Sequence, residues 1–177
     1  MAVLPASMSL LDAAKQGDDG AFEILLRPLL EPGYRLAGGM LQDAQAAQDA
    51  VQEAAFKAWR KLRQLRDGSD MRPWFLGIVA NECRSVRRSR WSSVVSLVMP
   101  ARSESVPADD AVLSTIELRT ALRAIDEKKR LALVLHWYLD LPLDEIAVIT
   151  GSSVHAVEGQ VQRGMHELRQ RMEARRG

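Results

Sequence analysis

Hydrophobic spacing constrains this chain more than any other feature, because apolar residues follow a helical period in two separate blocks. The first block runs from about residue 9 to 90 and the second from about residue 110 to 174. Apolar positions three and four apart are typical of helices that bury one face. Only nine of the 177 residues are Phe, Trp or Tyr, whereas Ala, Leu, Arg, Glu and Gln dominate and favour helices. We predict an all-α fold of two small helical domains.

Between the two blocks, the segment SSVVSLVMPARSESVPADD has no sustained period. It contains five serines and two prolines, a composition typical of linkers. We therefore predict a first domain over residues 1–91, a linker over 92–110 that is flexible in part, and a second domain over 111–177.

Local signals predict how the helices of the first domain begin and where they are disturbed. Ser9 opens a capping box, and Asp43 or a neighbour begins a long third helix. Pro28 and Pro32 fall inside the second predicted helix. Proline removes a backbone donor, so we expect these two residues to kink or interrupt that helix.

Composition excludes several classes of protein. The single cysteine, Cys83, cannot form an internal disulfide or a cysteine-based metal site, and we expect a packed thiol there. The N-terminus does not resemble a signal peptide, and no stretch reaches the roughly 18 to 20 apolar residues that cross a bilayer. We expect a soluble, cytoplasmic protein without cofactor or metal, and no motif of an enzyme is present.

Charge is distributed unevenly along the chain. Residues 57–91 carry ten Lys or Arg against three acids, whereas residues 1–56 carry three bases against eight acids. A basic block of that size suggests contact with a polyanion. The alternative is a solvated helix face.

The motif with the clearest mechanism is PLDEIAVITGSSVHAVEGQVQRGMHELR at residues 142–169. A short helix is followed by Gly151, which permits a sharp turn, and by a second helix that Ser152 or Ser153 can cap. This pattern predicts a helix-turn-helix, and an ordinary helical hairpin is the alternative. The residues predicted to face inward are Ile146, Ala147, Ile149, Val154, Val157 and Val161.

The start of the second helix can enter the major groove of DNA. Glutamine can read adenine edges, glutamate can accept from cytosine, and arginine suits guanine or phosphate. The residues predicted to face outward are His155, Ala156, Glu158, Gly159, Gln160, Gln162 and Arg163.

Two polar clusters occur in the first domain. Asp49, Gln52 and Glu53 share one helix face, which is suited to dock a basic partner helix, although a solvated face is the alternative. The second cluster lies at the far end of the fourth helix and consists of Asn81, Arg84, Arg87, Arg88 and Arg90. Trp59 and Trp74 could stack on bases, but their spacing favours core packing.

Together these motifs resemble a known family. DAVQEAAFKAW followed by RPWFLGIVANECRSVRR is similar to region two of the extracytoplasmic-function sigma factors, and LDEIAVITGSSVHAVEGQVQRGMHELR is similar to their region four. The resemblance spans most of residues 18–174. It implies an alternative sigma factor that binds core RNA polymerase and directs promoter-specific initiation. It also implies an anti-sigma factor that keeps the protein silent.

The resemblance implies roles for the clusters of the first domain. Residues that match those gripping the clamp helices of the largest polymerase subunit are Asp49, Gln52 and Glu53. The loop at about residues 65–71 matches the one that receives a flipped base of the −10 element, a base that amide and backbone groups can read. The residues implied to contact −10 DNA are Arg66, Asn81, Arg84, Arg87 and Arg88.

In the second domain, the resemblance places the last helix in the major groove of the −35 element. Many relatives are basic where this chain has Glu158 and Gln160, which puts the usual −35 sequence in doubt. Gly164 stands where many relatives have alanine and would loosen the helix by about 1 kcal/mol. The residues implied to contact the −35 element are Ser153, His155, Glu158, Gln160, Gln162 and Arg163.

Two other functions remain open from the residues. A free-standing helix-turn-helix regulator would bind duplex DNA without polymerase, as a dimer on a two-fold site. An adaptor would bind proteins only. Reversing the charges of Arg84 and Arg87 should leave an adaptor unharmed and disable a sigma factor.

Overall fold

The computed structural model describes residues 9–66, 68–94 and 110–176, and within these ranges the chain forms helices and no strand. The helices fall into two groups, which we call the first module (α1–α4) and the second module (α5–α8). The all-α prediction and the division into two helical units are confirmed. The predicted linker lies almost entirely outside the described residues.

The first module consists of a short helix and three long ones that pack on one another. Ser9 Oγ accepts from the Asp12 amide at 3.1 Å and Asp43 Oδ1 accepts from the Ala46 amide at 2.9 Å, so both predicted helix starts are confirmed. A 3₁₀ turn at Leu62–Gln64 follows the third helix. The helices are α1 (Leu10–Lys15), α2 (Asp19–Leu41), α3 (Ala44–Lys61) and α4 (Met71–Val94).

Small residues line the centre of this module. The face of α3 that meets α2 and α4 carries five alanines, each less than 9% exposed. Larger side chains, including Phe75 and Leu36, are fully buried opposite them. At Gly33 of α2, a Cβ would lie 3.2 Å from the Phe75 ring, so the ring packs directly on the backbone. The alanines are Ala46, Ala47, Ala50, Ala54 and Ala58.

Of the two effects expected of the prolines, a kink or an interruption, the interruption was wrong, because α2 continues through both of them. Each proline leaves one carbonyl without its helical donor, those of Ile24 and Pro28. Both of these residues are exposed, so water can hydrate the freed carbonyls. Burial of Leu29 and Leu36 on the opposite side holds the helix in place.

The second module contains the predicted helix-turn-helix. Gly151 ends α7 with a φ of +63°, and its amide donates to carbonyls of the preceding turn. The Val154 side chain is 46% exposed, so its predicted inward position was wrong. It lies in the first turn of α8. The helices are α5 (Asp110–Ala124), α6 (Glu127–Leu133), a π-helical segment (Val134–Tyr138), α7 (Leu143–Thr150) and α8 (Val154–Arg176).

Gly164 has a packing role that the sequence did not reveal. It is buried where α8 crosses α6, and a Cβ there would lie 3.1 Å from Leu133 Cδ1 and 3.2 Å from Lys129 Cβ. The helix-loosening glycine therefore brings α6 and α8 into close contact.

The two modules also pack against each other, which the sequence did not predict. α4 lies on α7, and α2 lies on the π-helical segment. A Cβ at Gly39 would lie only 2.8 Å from Val134 Cγ1, and one at Gly77 would lie 3.3 Å from the Ile149 carbonyl.

Arg130 is the most deeply buried charged residue of the second module, at 2% exposure. Its Nη2 donates to the carbonyls of Arg123 and Ile125 at 2.7 and 2.8 Å, which ties the end of α5 to α6. Burial, followed by the nearby charge of Arg87, lowers the pKa of Arg130 to about 10.

We predict that Arg130→Ala lowers the free energy of unfolding by about 3 kcal/mol, because two buried carbonyls lose a charged donor. Urea unfolding followed by circular dichroism measures the change. Arg130→Lys, which keeps a charged donor, should lose less. Arg169→Ala on the exposed face of α8 is the control and should change stability by at most about 0.5 kcal/mol. Equal losses for Arg130→Ala and Arg169→Ala would contradict the anchoring role.

Candidate nucleic-acid and polymerase interfaces

The predicted acidic face lies on α3 and is open to solvent. Asp49, Gln52 and Glu53 are all exposed, while Ala50, Val51 and Ala54 between them are buried. Gln45 Nε2 donates to Asp49 Oδ1 at 3.0 Å. The predicted shared orientation is confirmed. Two carboxylates and an amide on a rigid helix can receive a basic partner.

Lys57 links this face to α4. Its Nζ lies 3.3 Å from Glu53 Oε1 and 2.8 Å from Glu82 Oε2. The Glu82 side chain is only 12% exposed, so Lys57 is its counter-charge in a poorly solvated position. The hydrogen bond to Glu82 is the main cause that raises the pKa of Lys57. Lys57 therefore keeps its charge and holds Glu53 one turn away along α3.

Two aromatic rings continue the acidic face toward the end of α3. Phe56 and Trp59 are 52% and 48% exposed, with ring centroids 6.3 Å apart. The indole Nε1 donates to Asp19 Oδ1 at 3.1 Å. The predicted core position of Trp59 was wrong because the alanines of α3 fill that space, whereas Trp74 does pack against the core. Sequence reasoning missed Phe56, although it lies one turn after Gln52 and Glu53.

The polar cluster of α4 is brought together only in part. Arg84 Nη1 donates to Asn81 Oδ1 at 3.1 Å, so these two side chains form one unit. Arg84 and Arg87 are half-buried, whereas Asn81 and Arg88 are exposed. Glu127 of the second module accounts for the partial burial, since its carboxylate lies beside both half-buried arginines. No local signal in the sequence indicated that acid.

The loop before α4 is short and fixed at both ends. Leu65 and Met71 are buried at 6% and 7% exposure, while Arg66 is exposed. The Ser69 amide donates to the Arg66 carbonyl at 3.1 Å, and Gly68 has a φ of +74°. Arg66 thus lies on a tight turn held by two hydrophobic anchors.

The start of α8 presents an exposed polar surface. Ser153 Oγ accepts from the Ala156 amide at 3.2 Å, which confirms the predicted cap. The His155 side chain is 99% exposed and its Nδ1 lies 3.9 Å from Glu158 Oε2. Gln162 Nε2 donates to Glu158 Oε1 at 3.4 Å.

Two other predicted −35 residues differ in how freely they project. Arg163 is exposed, but its guanidinium lies over Gly159, where a Cβ would come within 2.9 Å of Nη1. Gln160 is half-buried. The exposed surface at the start of α8 therefore consists mainly of His155, Glu158 and Gln162.

The fold and these surfaces define a two-module helical protein with a helix-turn-helix in its second module. Models of known families match both parts. The model of sigma-70 region 2 matches residues 25–93, and the model of sigma-70 region 4 matches residues 115–168. Together they span more than two thirds of the chain.

Curated relatives are identical to this chain at about a quarter of the aligned positions. RNA polymerase sigma factor SigV of Bacillus subtilis is 26% identical, over 77% of this chain and 81% of its own length. RNA polymerase sigma-H factor of Pseudomonas aeruginosa is 26% identical over 90% of both chains. ECF RNA polymerase sigma factor EcfG of Rhodopseudomonas palustris is 28% identical over 71% of both.

Solved structures share the fold. The sigma factor RpoE of Bartonella quintana, in complex with the anti-sigma factor NepR, superposes with a TM-score of 0.70 at 24% identity, over 86% of this chain and 96% of that one. CnrH, in complex with the cytosolic domain of CnrY, gives a TM-score of 0.72 at 23% identity, over 93% and 96%.

The chain therefore belongs to the sigma-70 family. More narrowly, it is an extracytoplasmic-function sigma factor, a DNA-binding factor of transcription initiation.

Within the described part of the chain, none of the helices is both long and apolar enough to span a bilayer. Its His, Cys, Asp and Glu side chains form no group of three or more that could bind a metal ion. Cys83 is fully buried, and burial raises the pKa of its thiol to about 12, in agreement with the predicted packed thiol.

We predict that Lys57→Met lowers the free energy of unfolding by about 1 kcal/mol at neutral pH, because Glu82 loses its partner while water screens the pair from the Lys57 side, which is 36% exposed. Since the folded pKa is raised, the contribution of Lys57 is fully present below the unfolded value of 10.5. It is lost as the pH rises through the folded pKa.

Urea unfolding at neutral pH and above pH 10.5 measures this difference. Lys61→Met, an exposed change at the end of the same helix, is the control and should be nearly neutral at both pH values. A loss for Lys57→Met that stays constant across the two pH values would contradict the assignment.

Proposed function

We propose that this sigma factor docks on core RNA polymerase through the acidic face of α3, formed by Asp49, Gln52 and Glu53. The face is exposed, rigid and negatively charged, so it complements a basic helix. The observation that supports this proposal most is that the face falls within the region 2 match and that all three of its members are exposed. Lys57 fixes the position of Glu53 for that contact.

For the −10 element, we propose contact through the α4 cluster and the loop before it. Asn81 is exposed beside Arg84, and an amide can read the pairing edge of a flipped base. Arg66, Arg84, Arg87 and Arg88 supply positive charge for the phosphates of the opened strand. Trapping an unpaired base would favour melting without ATP hydrolysis.

For the −35 element, we propose that the start of α8 enters the major groove. Ser153, His155, Glu158 and Gln162 are exposed there, with Gln160 half-buried beside them. Arg163 lies over Gly159 and can reach a phosphate or a guanine by leaving that position. Glu158 repels phosphate, so it is suited to accept from a cytosine amine.

For the domain boundaries, we propose polymerase binding and −10 recognition over residues 1–91 and −35 recognition over residues 111–177, joined through residues 92–110. The region 2 and region 4 matches, residues 25–93 and 115–168, support this division.

An anti-sigma factor is the proposed regulator. RpoE of Bartonella quintana was solved with the anti-sigma factor NepR. CnrH was solved with the cytosolic domain of CnrY. In this chain, an apolar groove of about 600 Å³ lies between the modules and is lined by residues of both, including Gly38, Leu118, Trp137 and Met165. A partner seated there would contact both modules at once.

Docking on polymerase is tested by reversing the acidic face. We expect the Asp49→Lys, Glu53→Lys variant to lose co-elution with core polymerase in size-exclusion chromatography, while its circular dichroism stays unchanged. Glu31→Lys on exposed α2 is the control and should co-elute as the wild type does. If the wild-type protein itself fails to co-elute and instead binds duplex DNA as a dimer, the free-standing regulator is the better description.

Recognition of −10 DNA is tested by the Arg84→Glu, Arg87→Glu variant. Because phosphate contacts require positive charge, we expect this variant to bind core polymerase normally and to lose nearly all transcription from genomic DNA, measured by mapping transcript 5′ ends. Arg27→Glu, on the exposed side of α2, should transcribe at the wild-type level. Full transcription by the doubly reversed variant would favour an adaptor that binds proteins only.

A further inference from the structure

We propose that the two modules close into a self-inhibited state, in which Glu127 of the second module occupies Arg84 and Arg87 in place of DNA. The inference rests on the proposed role of these arginines at the −10 element. It adds an internal competitor for the DNA, built from the chain's own residues.

Glu127 forms an ion pair with each of the two arginines. Arg84 Nε lies 3.3 Å from one carboxylate oxygen of Glu127, and Arg87 Nη1 lies 3.6 Å from the other. Guanidinium groups bind carboxylate and phosphate through the same planar array of donors. The three side chains are each about one third exposed. A DNA phosphate cannot contact these inner edges of the two arginines while Glu127 is there.

A second ion pair between the modules lies near the start of α4. Arg72 Nε lies 3.5 Å from Glu145 Oε1 of α7, and the Glu145 side chain is 20% exposed. Between the two ion pairs, Gly77 lies against the Ile149 carbonyl. The covered stretch, from Arg72 to Arg87, is about 22 Å of helix. Acids of the second module thus contact α4 at both ends of this stretch, at Arg72 and at the Arg84 and Arg87 pair.

A further contact between the modules is made by α2 and its C-cap residue Gln42, which meet the π-helical segment and α5 respectively. The Arg35 guanidinium donates to the Tyr138 carbonyl and lies 4.8 Å from the centre of the Tyr138 ring. Gln42 Nε2 donates to the Arg119 carbonyl at 3.0 Å, and Arg123 Nη2 donates to the Gln42 carbonyl at 3.3 Å. These contacts connect side chains to main-chain groups across the modules, so they define one relative orientation.

This closed arrangement cannot engage both promoter elements at once. Elements centred at −10 and −35 are about 25 base pairs apart, which is about 85 Å of B-form DNA. A compact chain of this length has a radius of gyration of about 16 Å and a diameter of about 40 Å. The modules must therefore separate before the −10 and −35 elements are bound together.

The closed state covers Arg84 and Arg87 in part while other functional surfaces stay open. Asp49 and Glu53 on α3 are exposed, and so are His155 and Glu158 on α8. The polymerase-docking face is thus available before the −10 arginines are released. This order would restrict promoter melting to protein that has already met polymerase.

Two pairs of variants of the full-length chain test the inference. Glu127→Gln removes the charge that holds the arginines, and Glu173→Gln is the same change at an exposed site of α8. Gly39→Ala places a methyl group 2.8 Å from Val134 Cγ1, whereas the same change at Gly38 meets nothing within 4 Å. Both glycine changes favour the helix equally. The two variants therefore differ only in whether the added methyl group meets the other module.

The readouts are small-angle X-ray scattering and fluorescence anisotropy with a labelled oligothymidylate of about 15 nucleotides, a length within the range that single-strand sites bind. We expect Glu127→Gln and Gly39→Ala to increase the radius of gyration and to bind the oligonucleotide about threefold more tightly than their controls. The Arg84→Gln, Arg87→Gln variant should expand as well but gain no affinity, because the released face has lost its charge.

The inference is overturned if Glu127→Gln and Gly39→Ala match their controls in both size and affinity. Expansion without tighter oligonucleotide binding would also overturn it, because the contact would then not compete with DNA. Co-elution of the wild-type chain with core polymerase, run in parallel, is the separate readout for the proposed function. If the wild-type chain does not co-elute with core polymerase, the proposed function is rejected whatever the scattering shows.

Discussion

Because the buried face of α3 consists mainly of alanine, the neighbouring helices α2 and α4 can approach it closely, and this close packing determines the rest of the first module. Large side chains have little room between the helices. Phe75 and Leu36 fill the space that remains, and Phe56 and Trp59 are left on the outside. The acidic face and the exposed aromatic pair of α3 both follow from that packing.

Much of the fold could be predicted from the sequence, since it depends on local rules. Ser9, Asp43 and Ser153 cap helices as their side-chain chemistry predicts, and Gly151 turns the chain where a left-handed conformation is needed. The predicted interruption of α2 at its prolines was wrong because the cost of a missing donor depends on whether the freed carbonyl reaches water. That depends on tertiary structure, which local sequence does not contain.

The candidate sites likewise include some features that local sequence determines and others that depend on tertiary structure. The shared face of Asp49, Gln52 and Glu53 follows from helical spacing alone, and the exposed start of α8 follows from the turn before it. The partial burial of Arg84 and Arg87 depends on Glu127, which is forty residues further along the chain. The hydrogen bond of Trp59 on the surface is also non-local, since its partner Asp19 lies forty residues earlier. Contacts between distant residues leave no periodic signal in a single sequence.

The π-helical segment adds one residue to the turn that carries Trp137 and Tyr138. Its signature is the bond from the Leu139 amide to the Val134 carbonyl, five residues back. Rewinding this turn into a regular α-helix would rotate the residues beyond it by about 100° around the helix axis. The Tyr138 carbonyl would then point away from Arg35. The winding of one helical turn is thereby coupled to whether the two halves of the molecule stay together.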